Sequence, residues 1–341
     1  MTQDAAYLQM ALAEAWRSAG HTRPNPPVGA VVVIGGKVLG RGRHRRCGGD
    51  HAEVAAMKDA LRRLPVAARR RQRPLSGATV YVTLEPCSCP GRVGACTDAL
   101  VAAGVSRVVW AAADPNPVNR GRAARVLAKA GIRGGLFRGT IPPPGESPRG
   151  MDAAALVAPF AKHVTTGLPY VTVKLAMSLD GRICDCMGGA RWISSPASRR
   201  ATGRLREQVD AVMVGAETVR RDNPSLLCHT KRNDDLWRVV ISRSGRLPRR
   251  AQIFTDGARD RTLVFPDPRI ALEELGRRGF MHVLCEGGLG LARSLADEGL
   301  VDEWITVLAP MVIGSRPIAN TMRCPVPDTM VCARMSGTAL R

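Results

Sequence analysis

The chain of 341 residues contains few aromatic side chains: five Trp, five Phe and three Tyr. Single-stranded nucleic acids are held by aromatic platforms on which bases stack, and this sequence has little material for one. Lysine is also scarce, because only six of the 50 basic residues are lysine and 44 are arginine. The net charge of +21 is spread through both halves of the chain. This distribution indicates a general excess of arginine rather than a basic groove that binds nucleic acid.

Long apolar runs are missing as well. No segment approaches the ~18 consecutive apolar residues that a membrane-spanning helix requires, so we expect no membrane partner. Residues 5–19 are interrupted by Glu14 and Arg17, which is not the pattern of a secretory signal peptide. The ten cysteines follow no regular disulfide framework. These absences predict a cytoplasmic protein with free thiols.

The length of the chain and one change in its composition predict two domains. A chain of this length is longer than a domain with a single hydrophobic core usually is. Residues 141–150 are rich in proline and glycine and are incompatible with a helix interior or a central strand. We therefore place a first domain at residues 1–145, a linker at 146–168 and a second domain at 169–341. Within the linker, residues 153–165 have the composition of a short helix.

The most informative motif is His51-Ala52-Glu53, followed later by Cys87 and Cys96. One imidazole and two thiolates are ligands that zinc prefers, and a catalytic zinc keeps its fourth position for water. The Glu53 carboxylate is badly placed for a fourth ligand and well placed for a general acid/base. A lone histidine and free cysteines are often ordinary core residues. Here, however, His51 and Cys96 begin predicted helices and Cys87 follows the predicted strand 79–84, so the three can converge.

The sequence around this motif narrows the family. Zinc deaminases of nucleobases carry a His-x-Glu segment and a Pro-Cys…Cys segment, usually with two residues between the cysteines rather than the eight found here. The flanking motifs are Pro24-Asn25-Pro26-Pro27-Val28-Gly29, Gly42-Arg43-His44, Gly91-Arg92 and Asp114-Pro115-Asn116-Pro117. Over residues 4–140 this pattern resembles the deaminase half of the bifunctional riboflavin-biosynthesis deaminase/reductase family, in which the long gap is normal. The resemblance implies substrate contacts by Asn25, His44 and Arg92.

Strands alternate with helices in the second half, which predicts an α/β sheet. Its motifs are Ser178-Leu179-Asp180-Gly181, Trp192-Ile193-Ser194-Ser195, Val214-Gly215-x-x-Thr218-Val219, Asp222-Asn223-Pro224-Ser225-Leu226 and Glu286-Gly287-Gly288-x-Gly290. In this order they resemble the reductase half of the same family, which is similar in fold to dihydrofolate reductase and uses NADPH. The last motif alone fits either a phosphate-binding helix start or a helix-packing turn.

The resemblance also assigns residues of the second half. It implies substrate contacts by Arg206, Leu226 and Glu286. It implies contacts with NADPH by Ala176, Trp192, Thr218, Asp222, Gly288, Leu289 and Gly290. Lys174 and Asp222 are the polar groups that we expect nearest the site of hydride transfer.

Several positions depart from the family pattern, among them Arg23, which replaces a histidine, and Val93-Gly94-Ala95, which replaces Thr-Pro-Pro. Three further departures bear on the activity. Cys89 stands where the family has a histidine thought to touch substrate, Ala190 stands for a serine, and His229 stands for an arginine. These three departures leave open the alternative that the protein is a repurposed or partly inactive paralogue of the family. The basic run at residues 69–73 keeps a nucleic-acid base deaminase open as another alternative, although a solvated loop explains the run as well.

The sequence thus predicts an α/β protein with two domains. We expect an N-terminal, cytidine-deaminase-like three-layer domain with Zn²⁺ and a C-terminal, dihydrofolate-reductase-like domain with NADPH. The resemblance implies hydrolytic deamination of 2,5-diamino-6-ribosylamino-4(3H)-pyrimidinone 5′-phosphate, then reduction of its ribosyl group to ribityl. The expected partners are small pyrimidine ribose phosphates and further copies of the chain in a homo-oligomer.

Overall fold

The computed structural model divides the chain into two compact units, Met1–Thr166 and Gly167–Arg341. It describes residues 2–89, 94–142, 152–184, 193–228 and 235–313, together with the backbone alone of 322–323 and 329–334. Across these described ranges, no helix is both long enough and apolar enough to cross a membrane.

The first unit is built on a five-stranded sheet in the order β2-β1-β3-β4-β5. Its strands are β1 (Gly29–Ile34), β2 (Lys37–Arg43), β3 (Thr79–Val82), β4 (Arg107–Trp110) and β5 (Arg133–Leu136). Strand β1 is antiparallel to β2 and β3, whereas β3, β4 and β5 run parallel. The helices are α1 (Gln3–Trp16), α2 (Ala52–Arg63), α3 (Val66–Arg69), α4 (Cys96–Ala103), α5 (Arg122–Lys129) and α6 (Ala153–Thr166).

Side chains of this sheet alternate between two apolar cores, as the period of a strand requires. On one face, Val80 and Val108 pack with residues of α2, α4 and α5. On the other face, Tyr81 and Val109 pack with Leu8 and other residues of α1. Helices therefore cover both faces of the sheet, and the predicted three-layer architecture of the first half is confirmed.

Helix α2 lies unusually close to strand β2. A Cβ atom at Gly40 or Gly42 would overlap the backbone of α2 at Ala56. Only glycine permits this approach, because any side chain would push the helix away from the sheet. The two glycines therefore fix the position from which α2 presents its N-terminus.

Helix α6 belongs to the first unit, although most of the predicted linker is made of its residues. Its Ala153 and Leu156 pack with Leu12 and Ala15 of α1. The helix expected at residues 153–165 is observed at Ala153–Thr166. The contact shows that this segment is tied to the first unit by burial of small apolar side chains.

The second unit contains a seven-stranded sheet in the order β14-β11-β6-β10-β7-β8-β9. Six of its strands are β6 (Tyr170–Ser178), β7 (Ala211–Gly215), β8 (Trp237–Ile241), β9 (Thr262–Phe265), β10 (His282–Cys285) and β11 (Glu303–Ala309). A separate two-stranded sheet of β12 (Met311–Val312) and β13 (Met322–Arg323) follows, and β14 (Thr329–Arg334) is the seventh strand of the large sheet. Strand β14 pairs antiparallel with β11, and the other pairs of the large sheet are parallel.

Helices connect these strands. They are α7 (Pro196–Arg206), α8 (Ala216–Asp222), α9 (Gln252–Thr255), α10 (Pro268–Arg277) and α11 (Leu289–Asp297), with a 3-10 helix at Arg259–Arg261. One face of the sheet packs Val173, Val239 and Val283 into one core, and the other packs Val212, Val240 and Leu284 into another. Both faces of the parallel strands are thus apolar, which explains their nearly continuous hydrophobic sequences. The predicted α/β fold of the second half is confirmed.

Candidate active sites

The three predicted metal ligands of the first unit come together. His51 is the N-cap of α2, Cys96 is the first residue of α4, and Cys87 lies in the loop that follows β3. Their ligand atoms all lie within 4.8 Å of one another. A strand end and two helix starts therefore converge, as the sequence suggested.

The hydrogen-bond geometry shows how tightly these donors are grouped. The His51 Nδ1 atom lies 3.1 Å from Cys96 Sγ and 3.6 Å from Cys87 Sγ. The backbone N–H of Cys96 donates to Cys87 Sγ at 3.3 Å. A helix N-terminus favours thiolates, because its free N–H groups carry partial positive charge.

The two sulfurs affect each other's protonation. A hydrogen bond from the Cys96 thiol lowers the pKa of Cys87 to about 4, and the same bond raises the pKa of Cys96 above its ordinary value. The hydrogen bond to Cys87 also raises the pKa of His51. Divalent metals displace the protons of thiol and imidazole ligands when they bind. One imidazole and two thiolates with this spacing fit zinc.

Glu53 lies in the first turn of α2, two residues after His51, and is only 3% exposed. Burial, with the charge of Cys87 as a smaller cause, raises the pKa of Glu53 to about 7. A carboxyl group with such a pKa is able both to accept and to return a proton near neutral pH.

Two predicted substrate residues lie beside this cluster. The Asn25 amide Nδ2 donates to His44 Nε2 at 3.1 Å, and His44 Nδ1 donates to the Asp50 carbonyl oxygen at 3.0 Å. The His44 ring lies edge-on to the His51 ring, with 5.4 Å between the centroids. Burial lowers the pKa of His44. Because Nδ1 donates to a carbonyl oxygen and Nε2 accepts from the Asn25 amide, the two bonds select the neutral tautomer with its proton on Nδ1. The third predicted substrate residue, Arg92, lies outside the described residues.

Glu85 is a residue of this region that sequence reasoning missed. Its buried carboxylate accepts three backbone N–H groups, from Asp114 at 3.2 Å, Gly121 at 3.1 Å and Ala123 at 3.2 Å. It therefore ties the loop after β4 and the start of α5 to the segment that carries Cys87. Its only signal in the sequence is its place directly before Pro86-Cys87.

Cys89 has contacts of its own. The Arg122 guanidinium donates to Cys89 Sγ at 3.3 Å, and the thiol lies 3.7 Å from the Val118 carbonyl oxygen. Among the described residues, the group that could hold a metal comprises His51, Cys87 and Cys96, without Cys89.

Polar residues of the second unit meet on one face of its sheet. Arg206, at the end of α7, donates from Nε to Glu286 Oε1 at 2.6 Å and from Nη2 to Glu286 Oε2 at 3.0 Å. Glu286 follows β10 directly, and Cys285 before it pairs with Val173 of β6, the residue before Lys174. The charge of Lys174 acts on the Glu286 carboxylate. The structure thus brings together Lys174 and two predicted substrate residues, Arg206 and Glu286. The expected place of Lys174 and Asp222 nearest the site of hydride transfer stays a prediction.

Charge and burial oppose each other in this cluster. Burial works to raise the pKa of Glu286, but Arg206 and Lys174 hold it below its ordinary value. Burial lowers the pKa of Lys174, the charge of Arg206 adds to that effect, and Glu286 opposes it. Two basic side chains thus face one carboxylate, an arrangement that suits an anionic ligand.

Leu226, the third predicted substrate residue here, has an unusual backbone. Its φ of 58° lies in the left-handed region, and the residue is 4% exposed within the core that contains Leu205 and Val240. The carbonyl oxygen of the next residue, Leu227, accepts a hydrogen bond from Arg206 Nη1 at 3.2 Å. The chain around Leu226 is therefore linked to the Arg206–Glu286 pair.

The predicted cofactor residues lie on several elements. Ala176 is in β6, and Thr218 and Asp222 are in α8. Gly288 is the N-cap of α11 without a side-chain cap, and Leu289 and Gly290 form its exposed first turn. A helix N-terminus that follows a parallel strand is a favourable place for a phosphate group. Trp192, and the departures Ala190 and His229, lie outside the described residues.

Known proteins share both units. The sequence profile of the cytidine and deoxycytidylate deaminase zinc-binding region matches residues 1–112, and that of the RibD C-terminal domain matches residues 169–323. Riboflavin biosynthesis protein RibD of Escherichia coli (strain K12) is 35% identical over 350 residues, covering 92% of this chain and 89% of that protein. RibD of Corynebacterium ammoniagenes is 36% identical over 332 residues, covering 93% and 90%.

Solved structures agree with these sequence matches. Acinetobacter baumannii RibD, form 1, has a TM-score of 0.76 at 34% identity and covers 92% of this chain and 89% of its own. A diaminohydroxyphosphoribosylaminopyrimidine deaminase/5-amino-6-(5-phosphoribosylamino)uracil reductase from Thermotoga maritima has a TM-score of 0.79 at 28% identity, with coverage of 97% and 98%. The likeness therefore extends over both compact units.

Proposed function

Because this chain belongs to the RibD family of bifunctional riboflavin-biosynthesis proteins, we propose that it deaminates a pyrimidine ribose phosphate and then reduces the ribosyl group of the product. One observation supports the deamination most directly. Three metal-binding donors lie within 4.8 Å of one another, and the buried carboxyl of Glu53 lies in the first turn of the helix that His51 caps. This donor set and acid/base group are those that hydrolytic deamination requires.

For the deaminase step, His51, Cys87 and Cys96 would hold Zn²⁺. Zinc, when bound, supplies a Lewis acid that makes water a nucleophile near neutral pH. Glu53 takes the proton of the attacking water on its carboxylate and returns it to the departing amine, which leaves as ammonia. Asn25 and His44 would orient the pyrimidine, because their mutual hydrogen bond holds both side chains beside His51.

For the reductase step, NADPH, when bound, would supply a hydride that, together with a proton from solvent, converts the ring-opened ribosyl group to the ribityl chain. Exposed backbone N–H groups at Gly288, Leu289 and Gly290 would bind its phosphates. Arg206 and Lys174 would attract the phosphate-bearing substrate, and Glu286 would hold the Arg206 guanidinium in one orientation through the two bonds between them.

The assignment of domains is part of this proposal. We assign the deaminase to residues 1–145, the linker to 146–168 and the reductase to 169–341, and α6 fits this scheme as a linker segment that packs back on α1. A cytoplasmic location and a homo-oligomeric state stay predictions of the sequence. Light scattering of the purified protein measures the second of these.

The basic run at residues 69–73 gives little support to a nucleic-acid deaminase. Arg69 donates from Nε to the Leu64 carbonyl oxygen at 2.8 Å and from Nη2 to the Arg62 carbonyl oxygen at 2.5 Å. These carbonyls belong to the C-terminal end of α2, so this arginine serves as a cap.

The function is tested with the purified protein and the pyrimidinone phosphate, with and without NADPH. We expect ammonia in both samples and oxidation of NADPH only after ammonia has appeared. Absence of ammonia from zinc-loaded protein would refute the deaminase assignment, and a failure to oxidise NADPH with the deaminated compound would refute the reductase. Single-stranded DNA or RNA added as a competitor should leave both rates unchanged.

A further inference from the structure

Arg238 of the second unit is a buried charged residue with no part in the proposed reactions. It is in β8 and is 0% exposed. Its guanidinium donates five hydrogen bonds to five acceptors: Thr262 Oγ1 at 3.0 Å, the Ser225 carbonyl oxygen at 3.0 Å, the Ile253 carbonyl oxygen at 2.8 Å, and Asp256 Oδ2 and Oδ1 at 2.6 and 2.9 Å. An arginine has five N–H groups, so all of them are satisfied.

Asp256 makes this burial possible. Its carboxylate takes two of the five bonds, and its side chain is only 17% exposed. The hydrogen bonds from Arg238 lower the pKa of Asp256, so the pair is ionised. A buried ion pair often contributes less to stability than an apolar pair of the same volume, so stability alone is a poor explanation for it.

The Ser225 carbonyl gives the pair a role beyond packing. It belongs to the residue before Leu226, whose φ of 58° costs free energy for a branched side chain. The carbonyl after Leu226, that of Leu227, accepts from Arg206. Both carbonyls that flank the left-handed residue therefore accept from a guanidinium, one from Arg238 and one from Arg206.

A second anchor acts on the same loop. Asn223 also has a left-handed backbone, with φ 42°, and its Oδ1 accepts the backbone N–H of Gln252 at 2.7 Å. Gln252 and Ile253 are neighbours in α9, and Ile253 accepts from Arg238. The loop at residues 223–228 is thus tied to α9 through Asn223 and through Arg238.

We propose that Arg238, held by Asp256, is a positioning residue of the reductase site: it fixes the backbone from Ser225 to Leu227 and thereby the orientation of the Arg206 guanidinium. The proposal rests on the proposed reductase function. Neither Arg238 nor Asp256 needs to touch substrate. Without their bonds, the Ser225 peptide can rotate, Leu226 can relax from its left-handed conformation, and the Leu227 carbonyl no longer holds Arg206.

The test uses the full chain with Asp256→Asn, which keeps the size of the side chain but removes its charge and one of its two acceptor oxygens. Thr262→Val is the matched control, because it removes a different acceptor of the same guanidinium with no direct contact to the loop. We expect Asp256→Asn to raise the KM for the deaminated pyrimidine phosphate about tenfold, equivalent to about 1.4 kcal/mol. Its kcat, its KM for NADPH and its ammonia release should stay near those of the unchanged protein, as should every constant of Thr262→Val.

If Asp256 only stabilises the fold, the kinetic constants change differently. Loss of folded enzyme lowers the apparent kcat and leaves KM unchanged. That result, or an equal rise of KM in both variants, would overturn the proposal.

Hydrogen–deuterium exchange measures how well the backbone of residues 223–228 is held, independently of enzyme activity. In Asp256→Asn, peptides that cover residues 223–228 should exchange faster, whereas those from β6 and α11 should keep their rates. Unchanged exchange at 223–228 would refute the positioning role, even if the enzyme reduces its substrate. If the unchanged protein does not oxidise NADPH with the deaminated compound while the loop responds as expected, the proposed function fails and the positioning of the loop stands.

Discussion

Replacing Glu85 by Gln should destabilise the first unit, although Glu85 is not one of the predicted metal ligands. The carboxylate accepts the N–H groups of Asp114 and Gly121 on Oε2 and that of Ala123 on Oε1. A glutamine has one acceptor oxygen, and its amide N–H₂ would face a backbone N–H. At least one bond is lost, and the remaining bonds lose the assistance of the charge.

The magnitude follows from these bonds. A hydrogen bond to a charged group contributes about 1.5–3 kcal/mol, so we expect the free energy of unfolding of the first unit to fall by about 2–3 kcal/mol. For a unit of this size each kcal/mol lowers the midpoint by a few degrees, which gives a decrease of roughly 4–12 °C.

The assay measures the temperature at which the protein releases zinc to a chromogenic chelator. This midpoint reports on the first unit alone, because that unit contains His51, Cys87 and Cys96. Glu217→Gln is the matched control: the same chemical change at an exposed carboxylate of the second unit, which pairs with Arg220 and Arg221. The control should leave the zinc-release midpoint unchanged. A Glu85→Gln midpoint within about 1 °C of the unchanged protein would show that the three bonds are worth little and that our reasoning about them is wrong.

Three further predictions concern the sites themselves. Cys87→Ser should lose bound zinc by metal analysis, whereas Cys89→Ser should keep it; zinc loss in Cys89→Ser would overturn the ligand assignment. Glu53→Gln should abolish ammonia release, by a factor of about 10² or more, yet retain zinc and still reduce supplied deaminated product. Normal ammonia production would mean that another group moves the proton. Arg206→Ala should release ammonia normally but oxidise NADPH at least about tenfold more slowly; equal loss of both activities would contradict separate sites.

The metal-binding group was accessible from the sequence because its information is local. His51 and Glu53 lie in one helical turn, and Cys87 and Cys96 flank one segment, so the motif needs no knowledge of distant contacts. The resemblance to a family then gave the order of the domains. Family membership and the two architectures are confirmed, while the roles of individual residues stay predictions.

What the sequence did not reveal depends on contacts between distant segments. Arg206 and Glu286 are 80 positions apart, and each was assigned to substrate without sign of their ion pair. The contacts of Arg238 have no signal in the sequence, because its partner Asp256 and the carbonyl of Ser225 are set by the packing of α9 and the loop. A pattern of single residues does not encode which carbonyl a guanidinium will meet.

The close contact of α2 with β2 has a consequence for how this protein tolerates mutation. Gly40 and Gly42 carry no functional group, yet a Cβ at either would displace the helix that begins at His51. In a saturation-mutagenesis screen that scores ammonia release, both positions should therefore be as intolerant as the metal ligands themselves. A map of the sensitive positions would then overstate the number of residues that act on substrate. Gly40 and Gly42 would be counted among them, although their contribution is the absence of a side chain.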